Sequence, residues 1–288
     1  MKITGGIFLK KIAFLLIFTL LFSGCSSKNV FKEEIAEEVW QSEEIAVTKE
    51  LNPNGYGSLS NKLCGWGLKK NLNAPPEVPS SIISLLEKYE SYYIGKDTEK
   101  VLYLTFDEGY ENGYTAKILD VLKEKEVPAA FFITGPYLKK EKELVKRMVE
   151  EGHVVGNHTV NHPCLPEVDS VEKISKELSV LDDEFYSEFG KRMRFLRAPR
   201  GEFSERTLAI TNDLGYTNVF WSFAYKDWEV NNQRGAEYAY NEIMKGVFDG
   251  CILLLHAVSK DNAEVLARVI DDLKKDGYVF KSLENLVK

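Results

Sequence analysis

From Lys100 onward, short apolar runs alternate with longer amphipathic stretches, and this alternation narrows the possible folds more than any other feature of the chain. The strand-like runs are VLYLTF (101–106), AAFFIT (129–134), HVVGN (153–157), RFLRAP (194–199), NVFWSF (218–223), CILLLH (251–256) and a short YVF (278–280). Between them the spacing predicts helices over Thr115–Lys125, Lys140–Glu151, Val171–Phe189, Ser204–Leu214, Gly235–Met244 and Asn262–Lys275. Strand and helix patterns that follow one another in this way are the signature of βα units, hence of a parallel sheet with outer helices. A barrel and a doubly wound sheet both satisfy the pattern, and periodicity does not choose between them.

The residues before this region divide into three. Lys2, Lys10 and Lys11 are the only charges in the first segment, and Ile12–Phe22 is a run of apolar residues interrupted only by Thr19. Eleven helical residues span about 16 Å, against about 30 Å of bilayer hydrocarbon. The run therefore reads as a signal-peptide core, residues 1–24, and not as a permanent span. Phe-Ser-Gly-Cys at its end resembles a bacterial lipoprotein cleavage site, with Cys25 as the acylated residue. The expected location is the outer face of the cell membrane, with the membrane touched only through the signal or a lipid anchor. Residues 25–56 are polar and acidic and read as a tether, with a weakly amphipathic helix over Glu33–Trp40. Residues 57–98 carry GWGLKKN (65–71), a Pro-rich joint and a helical pattern capped by Ser80 or Ser81. They read as an N-terminal extension packed on the main domain.

Composition enters as a filter. With 288 residues, 44% of them hydrophobic, the chain has material for one substantial core. Without residues 1–24, 34 basic residues face 44 acidic ones, a net charge of −10. That balance argues against nucleic acid as a partner and fits a neutral or cationic glycan. Cys64, Cys164 and Cys251 cannot all pair within one chain and form no Cys-x-x-Cys spacing, so neither a disulfide framework nor a thiolate zinc site is indicated. Cys251 opens an apolar run and reads as a small buried hydrophobe.

The polar residues gather at the ends of the predicted strands, where parallel α/β folds keep their functional groups. Asp107 and Glu108 end the first, His158 and His162 follow the third, and Arg197 ends the fourth. Asp227 and Trp228 follow the fifth, and His256 ends the sixth. Of only four histidines, three lie at such ends; His153 reads as structural. His158-Thr-Val-Asn-His162 sets two imidazoles four residues apart, which on a helical turn would face one side and suit a divalent cation. Surface or capping roles explain many such pairs, so the spacing alone does not decide. Adjacent Asp107 and Glu108 repel each other if buried, and a cation or an arginine would relieve the repulsion.

TFDEGYENGYT (105–115), GNHTVNH (156–162), RAPRG (197–201), WSFAYKDW (221–228) and LLLH (253–256) together resemble the five ordered motifs of polysaccharide deacetylases, carbohydrate esterase family 4, with its NodB-like domain. The resemblance covers residues 99–285. GWGLKKN, PRGEFSERTLA and LLLHAVSKDNAE are similar to the branch of delta-lactam-biosynthetic de-N-acetylases. It implies a distorted (β/α)7-type barrel of parallel strands with outer helices. It also implies a metal-dependent hydrolase that deacetylates N-acetylmuramic acid in peptidoglycan glycan strands of spore cortex, where the freed amine closes to a muramic lactam.

Carried over, the resemblance makes Asp107 the general base, with Arg197 pairing it. His256 becomes the general acid, oriented by Asp227. His158 and His162 become ligands of a divalent metal cation, zinc by expectation, with cobalt or manganese as alternatives. Glu108 stands where the family has an aspartate ligand, and Ser222 where many relatives carry an acid. Trp228 and Leu254 would line the slot for the acetyl methyl group. Deacetylation of N-acetylglucosamine in peptidoglycan or chitin-like oligomers shares the same motifs. A non-catalytic glycan-binding module would need neither Asp107 nor His256. No Gly-x-Ser-x-Gly is present, and Ser204 in GEFSE lacks the glycine frame of a serine hydrolase.

Overall fold

The computed structural model describes residues 51–287 except positions 52, 68, 97 and 98, all within one compact unit, Val47–Lys288. The signal-like segment, Cys25, the stretch expected to be helical over Glu33–Trp40 and most of the tether lie outside the described residues.

Twelve strands occur among the described residues. The first three are short: β1 (Cys64–Gly65), β2 (Lys69–Asn71) and β3 (Ala74–Glu77). The central ones are β4 (Val101–Glu108), β5 (Ala129–Ile133), β6 (Val154–Asn157) and β7 (Phe195–Leu196). Then come β8 (Glu202–Phe203), β9 (Thr217–Asn218), β10 (Phe223–Ala224), β11 (Cys251–Leu255) and β12 (Val279–Phe280). The main sheet is parallel throughout and runs β10-β11-β4-β5-β6-β7-β9, with β12 pairing the start of β4. Its central strands are apolar at nearly every position because helices cover one face and the barrel interior the other.

The stretch NVFWSF, expected as one strand, is two. β9 and β10 sit at opposite ends of the sheet order yet are separated only by residues 219–222. The five residue steps from Asn218 to Phe223 extend at most about 17 Å, so the sheet must curl until its edges nearly meet, joined by one continuous stretch of chain. The N-terminal extension fills the same gap. Tyr92 N–H donates to Asn218 O at 2.9 Å, Phe220 N–H donates to Tyr92 O at 2.7 Å, and Ile94 bridges Cys251. The result is a curled, incompletely hydrogen-bonded barrel.

Side chains sort by strand alternation into two cores. Tyr103, Ala130, Phe132, Phe195, Val219 and Ile252 fill the interior. Leu102, Leu104, Phe106, Phe131, Ile133 and their neighbours pack outward against the helices. Each fully buried large apolar side chain contributes about 1.5–3 kcal/mol.

The extension is bound to the domain by Trp66, which is buried, packs at a tilt against Phe220 and Tyr93 with ring centroids at 4.9 and 5.2 Å, and donates its indole N–H to Trp221 O at 2.8 Å. Gly201 (φ +66°) lies beneath it; a Cβ there would come within 2.7 Å of Trp66 and 2.8 Å of the Trp221 ring. Within the stretch read as a tether, Pro53–Tyr56 forms a turn whose Tyr56 hydroxyl donates to Asp213 at 2.8 Å. The extension's helix, Ser80–Lys88, has Pro79 at its N-cap and no side-chain cap, contrary to the serine cap expected. The expected Lys140–Glu151 helix begins at Lys142, and a separate short helix, Gly135–Lys140, precedes it.

Candidate active site

The interior plug of aromatic side chains ends in a charged layer at the carboxyl ends of the strands. Arg197, directly after β7, is completely buried with its guanidinium 4.2 Å above the Phe132 ring. It donates to Asp107 Oδ1 at 2.8 Å, Thr105 Oγ1 at 2.9 Å, Val219 O at 2.8 Å and Phe220 O at 3.2 Å. A buried cation is tolerated only when paired and hydrogen-bonded in this way. Burial pushes the Asp107 carboxyl up, but the charge of Arg197, joined by His158 and His256, outweighs it, so Asp107 is held below its ordinary value. The two carbonyls that hold Arg197 belong to the stretch that closes the barrel, the stretch Trp66 buttresses.

His158 follows β6. Its Nδ1 lies 2.7 Å from Arg197 O, and a carbonyl only accepts, so Nδ1 carries the proton and Nε2 keeps its lone pair. That Nε2 is 3.6 Å from Asp107 Oδ2. The His162 ring stands 4.8 Å from the His158 ring at 73°. Burial lowers the pKa of both imidazoles, His162 to about 4, which favours their neutral form. They are brought together by a bend and not by the helical turn expected. Thr159 and His162 have φ of +68° and +58°, Asn157 Oδ1 accepts from Thr159 N–H at 2.8 Å, and Glu177 holds Asn161 through two hydrogen bonds.

Across the mouth, Asp227 accepts from His256 Nδ1 at 2.7 Å through Oδ1 and from His256 main-chain N–H at 2.8 Å through Oδ2. Burial disfavours the charged imidazole, but Asp227, helped by Asp107, more than compensates, so the pKa of His256 is raised. The Trp228 ring meets the His256 ring edge-on at 5.5 Å and is 47% exposed. Leu254 is buried on the β11 face it shares with Ile252, the face turned to the interior.

Glu108 is where the structure departs from expectation. Asp107 shares its strand face with Thr105, and both meet Arg197; Glu108, the next residue, falls on the opposite face with Phe106 and pairs in register with Ile133. Its carboxyl is wholly buried, and neither oxygen has a hydrogen-bond partner. Burial, reinforced by Glu111 and Asp107, raises its pKa well above the usual carboxylate range. Among the described residues no three His, Cys, Asp or Glu side chains converge as a ready cation cage. The donor set present, two neutral imidazoles beside an ionised Asp107, fits a divalent cation in its chemistry. Glu108 does not close that set, because alternation turns it away.

A family model described as polysaccharide deacetylase matches residues 94–219. The chain is also 48% identical over 232 residues to the peptidoglycan-N-acetylmuramic acid deacetylase PdaA of Bacillus subtilis, covering 80% of this chain and 88% of that protein. The chain belongs to the polysaccharide deacetylase family. A Bacillus cereus member of this family, a peptidoglycan-N-acetylglucosamine deacetylase, is 32% identical over 198 residues, covering 67% of this chain and 90% of that one. The solved structure of Bacillus subtilis PdaA, a family 4 carbohydrate esterase, superimposes with a TM-score of 0.77, covering 80% of this chain and 98% of that one.

Within this polysaccharide deacetylase, sequence reasoning missed three contributors. Thr105 is buried and bonds both Arg197 and Leu253 O, at 2.9 and 2.6 Å. Tyr110 is exposed and its hydroxyl reaches Trp228 O at 3.4 Å. Asn262 is buried against Asp227. The only available signal for Asn262 was its place in the branch-like string LLLHAVSKDNAE, where it read as the start of a helix. His153 is structural, as expected: its Nδ1 accepts from Ala129 N–H at 3.2 Å, and burial lowers its pKa to about 4. Ser204 caps the helix Glu205–Asp213 and is fully buried, not a nucleophile. Cys64, Cys164 and Cys251 are free, and Cys251 is completely buried.

Proposed function

We propose that this chain hydrolyses the acetamide of N-acetylmuramic acid in peptidoglycan, releasing acetate and a free amine. The observation that carries the reading is the pairing of two groups facing one mouth, Asp107 with Arg197 at 2.8 Å and His256 with Asp227 at 2.7 Å, which lowers the pKa of the first and raises that of the second. Pairs pushed apart in this way divide base and acid roles between them. Arg197 occupies Asp107 Oδ1, leaving Oδ2 to take a proton from the attacking water. As the C–N bond breaks, His256 delivers its Nε2 proton to the leaving nitrogen, while Asp227 holds Nδ1 and stabilises the imidazolium. Trp228 and Leu254 bound the acetyl methyl group in this reading. His158 and His162 would hold a divalent cation, zinc by our reading, which when bound supplies positive charge that polarises the acyl carbonyl.

The muramic sugar is favoured by the Bacillus subtilis relative, which acts on N-acetylmuramic acid, and by GWGLKKN and the other branch-like strings. A freed muramic amine lies near the lactyl carboxyl of its own sugar, so deacetylation prepares the delta-lactam of spore cortex. The site of action in this reading is the outer face of the cell membrane, after removal of residues 1–24 and acylation of Cys25. Among the described residues no helix is long and apolar enough to cross a membrane. Replacing Cys25 with Ala should move the protein from the membrane fraction to the soluble one.

The decisive test incubates the purified chain with peptidoglycan, with and without prior removal of its stem peptides, and analyses muramidase digests by mass spectrometry. Loss of acetyl from muramic acid is expected. Loss from glucosamine alone would replace the substrate, and no acetate release at all would leave a glycan-binding module.

A further inference from the structure

The Asp227 carboxylate accepts a third hydrogen bond that the mechanism above does not use. Asn262 Nδ2 donates to Asp227 Oδ2 at 2.6 Å, and the same nitrogen lies 3.2 Å from His256 O. A carboxylate only accepts, so the amide NH2 must face Asp227 and the amide oxygen must face the other way. There it meets the hydroxyl of buried Tyr225. The main chain at Asn262 is fixed as well. Its N–H donates to Ser259 Oγ at 3.2 Å, that hydroxyl bonds Gln233 Oε1 at 2.7 Å, and Gln233 Nε2 donates to Asp227 O at 3.2 Å. The turn from His256 to Asn262 thus closes back on the loop bearing Asp227. Asn262 is 1% exposed, which excludes it from touching a glycan.

We propose that Asn262, anchored by Tyr225, is the positioning residue of the acid: it fixes the rotamer of Asp227, and through it the orientation and tautomer of His256. Without that amide, Oδ2 keeps the His256 main-chain bond, but the carboxylate can rotate about it and the Nδ1 bond loosens. Outer-shell partners of metal-ligating histidines typically change affinity or activity about 10–100-fold when removed, and the same scale is expected for an acid imidazole. The inference rests on the deacetylase reading only for its kinetic arm.

The test compares the full chain with Asn262→Asp, which keeps the shape but replaces the donor with a second acidic oxygen, and with Tyr225→Phe, which keeps the amide but frees it. Expected for Asn262→Asp is a fall in kcat of about 10–100-fold with KM within about twofold. The low-field Nδ1–H proton resonance of His256, recorded without substrate, should weaken or move upfield. Tyr225→Phe should change both readouts in the same direction and by less, and it decides alone if Asn262→Asp fails to fold. Wild-type kcat in a folded Asn262→Asp variant, or an unmoved His256 resonance in both variants, overturns the proposal. If the wild-type chain releases no acetate, the deacetylase reading falls while the resonance still decides the role of Asn262.

Discussion

Asp107 and Glu108 are covalent neighbours with opposite fates, because strand alternation sends one to Arg197 and the other into the layer between sheet and helices. Replacing Asp107 with Asn removes the proposed base while leaving Arg197 buried without its counter-charge. Acetate release should fall at least about 100-fold, and chemical denaturation should register a loss of about 3–5 kcal/mol, the cost of an unpaired buried charge. Glu108 behaves in the reverse sense. Its folded pKa lies above the unfolded value, so the unfolded chain releases this proton first and stability from this group is lost as pH rises through that interval. Glu108→Gln should therefore raise the denaturation midpoint at neutral pH. Equilibrium dialysis should show Glu108→Gln still binding zinc and His158→Ala or His162→Ala losing it; loss of zinc by Glu108→Gln would return that carboxylate to the ligand set.

At the scale of elements, the stretch 219–222 carries most weight. It joins the two ends of the sheet, presents Val219 O and Phe220 O to Arg197, and is backed by Trp66 from the N-terminal extension. Trp66→Ala should cost about 3–5 kcal/mol of stability, the usual cost of truncating a buried tryptophan. It should also lower kcat more than KM, since the displaced carbonyls would loosen Arg197 and with it Asp107. A variant that loses stability but keeps kcat would limit Trp66 to packing. The bend at residues 158–162 makes a related point: its imidazoles converge because two residues adopt left-handed backbone angles and Glu177 ties down the loop, conditions no spacing rule encodes.

For the whole molecule, the proposed base and acid roles predict a pH profile of kcat/KM set by the two displaced pKa values. The base works only when Asp107 is ionised, so activity is lost on the acid side as pH falls through a value below the ordinary carboxylate range. The acid works only while His256 is protonated, so activity is lost on the alkaline side as pH rises through a value above about 6.5. Asp227→Asn removes the charge that raises His256, and the alkaline limb should shift to lower pH; an unmoved limb would assign it to another group. A chelator should abolish acetate release from wild type, and zinc should restore it.

The sequence by itself determined the alternation of strands and helices from residue 100 to 280, apart from the split of NVFWSF, the short strand Glu202–Phe203 and the separate helix Gly135–Lys140, because hydrophobic periodicity is a local property. It also determined that Asp107, His158, His162, Arg197, Asp227 and His256 sit at strand ends, because parallel strands present their carboxyl ends on one side. Only the tertiary structure decided what depends on contacts distant along the chain. The split of NVFWSF follows from the curl of the whole sheet. The closing role of Tyr92–Ile94 depends on edges more than a hundred residues away. Asn262 looked like an ordinary helix residue until the fold set it against Asp227, 35 positions earlier. The orientation of Glu108 was in principle readable from alternation, yet which face of β4 is the interior is fixed only once Arg197 is buried there.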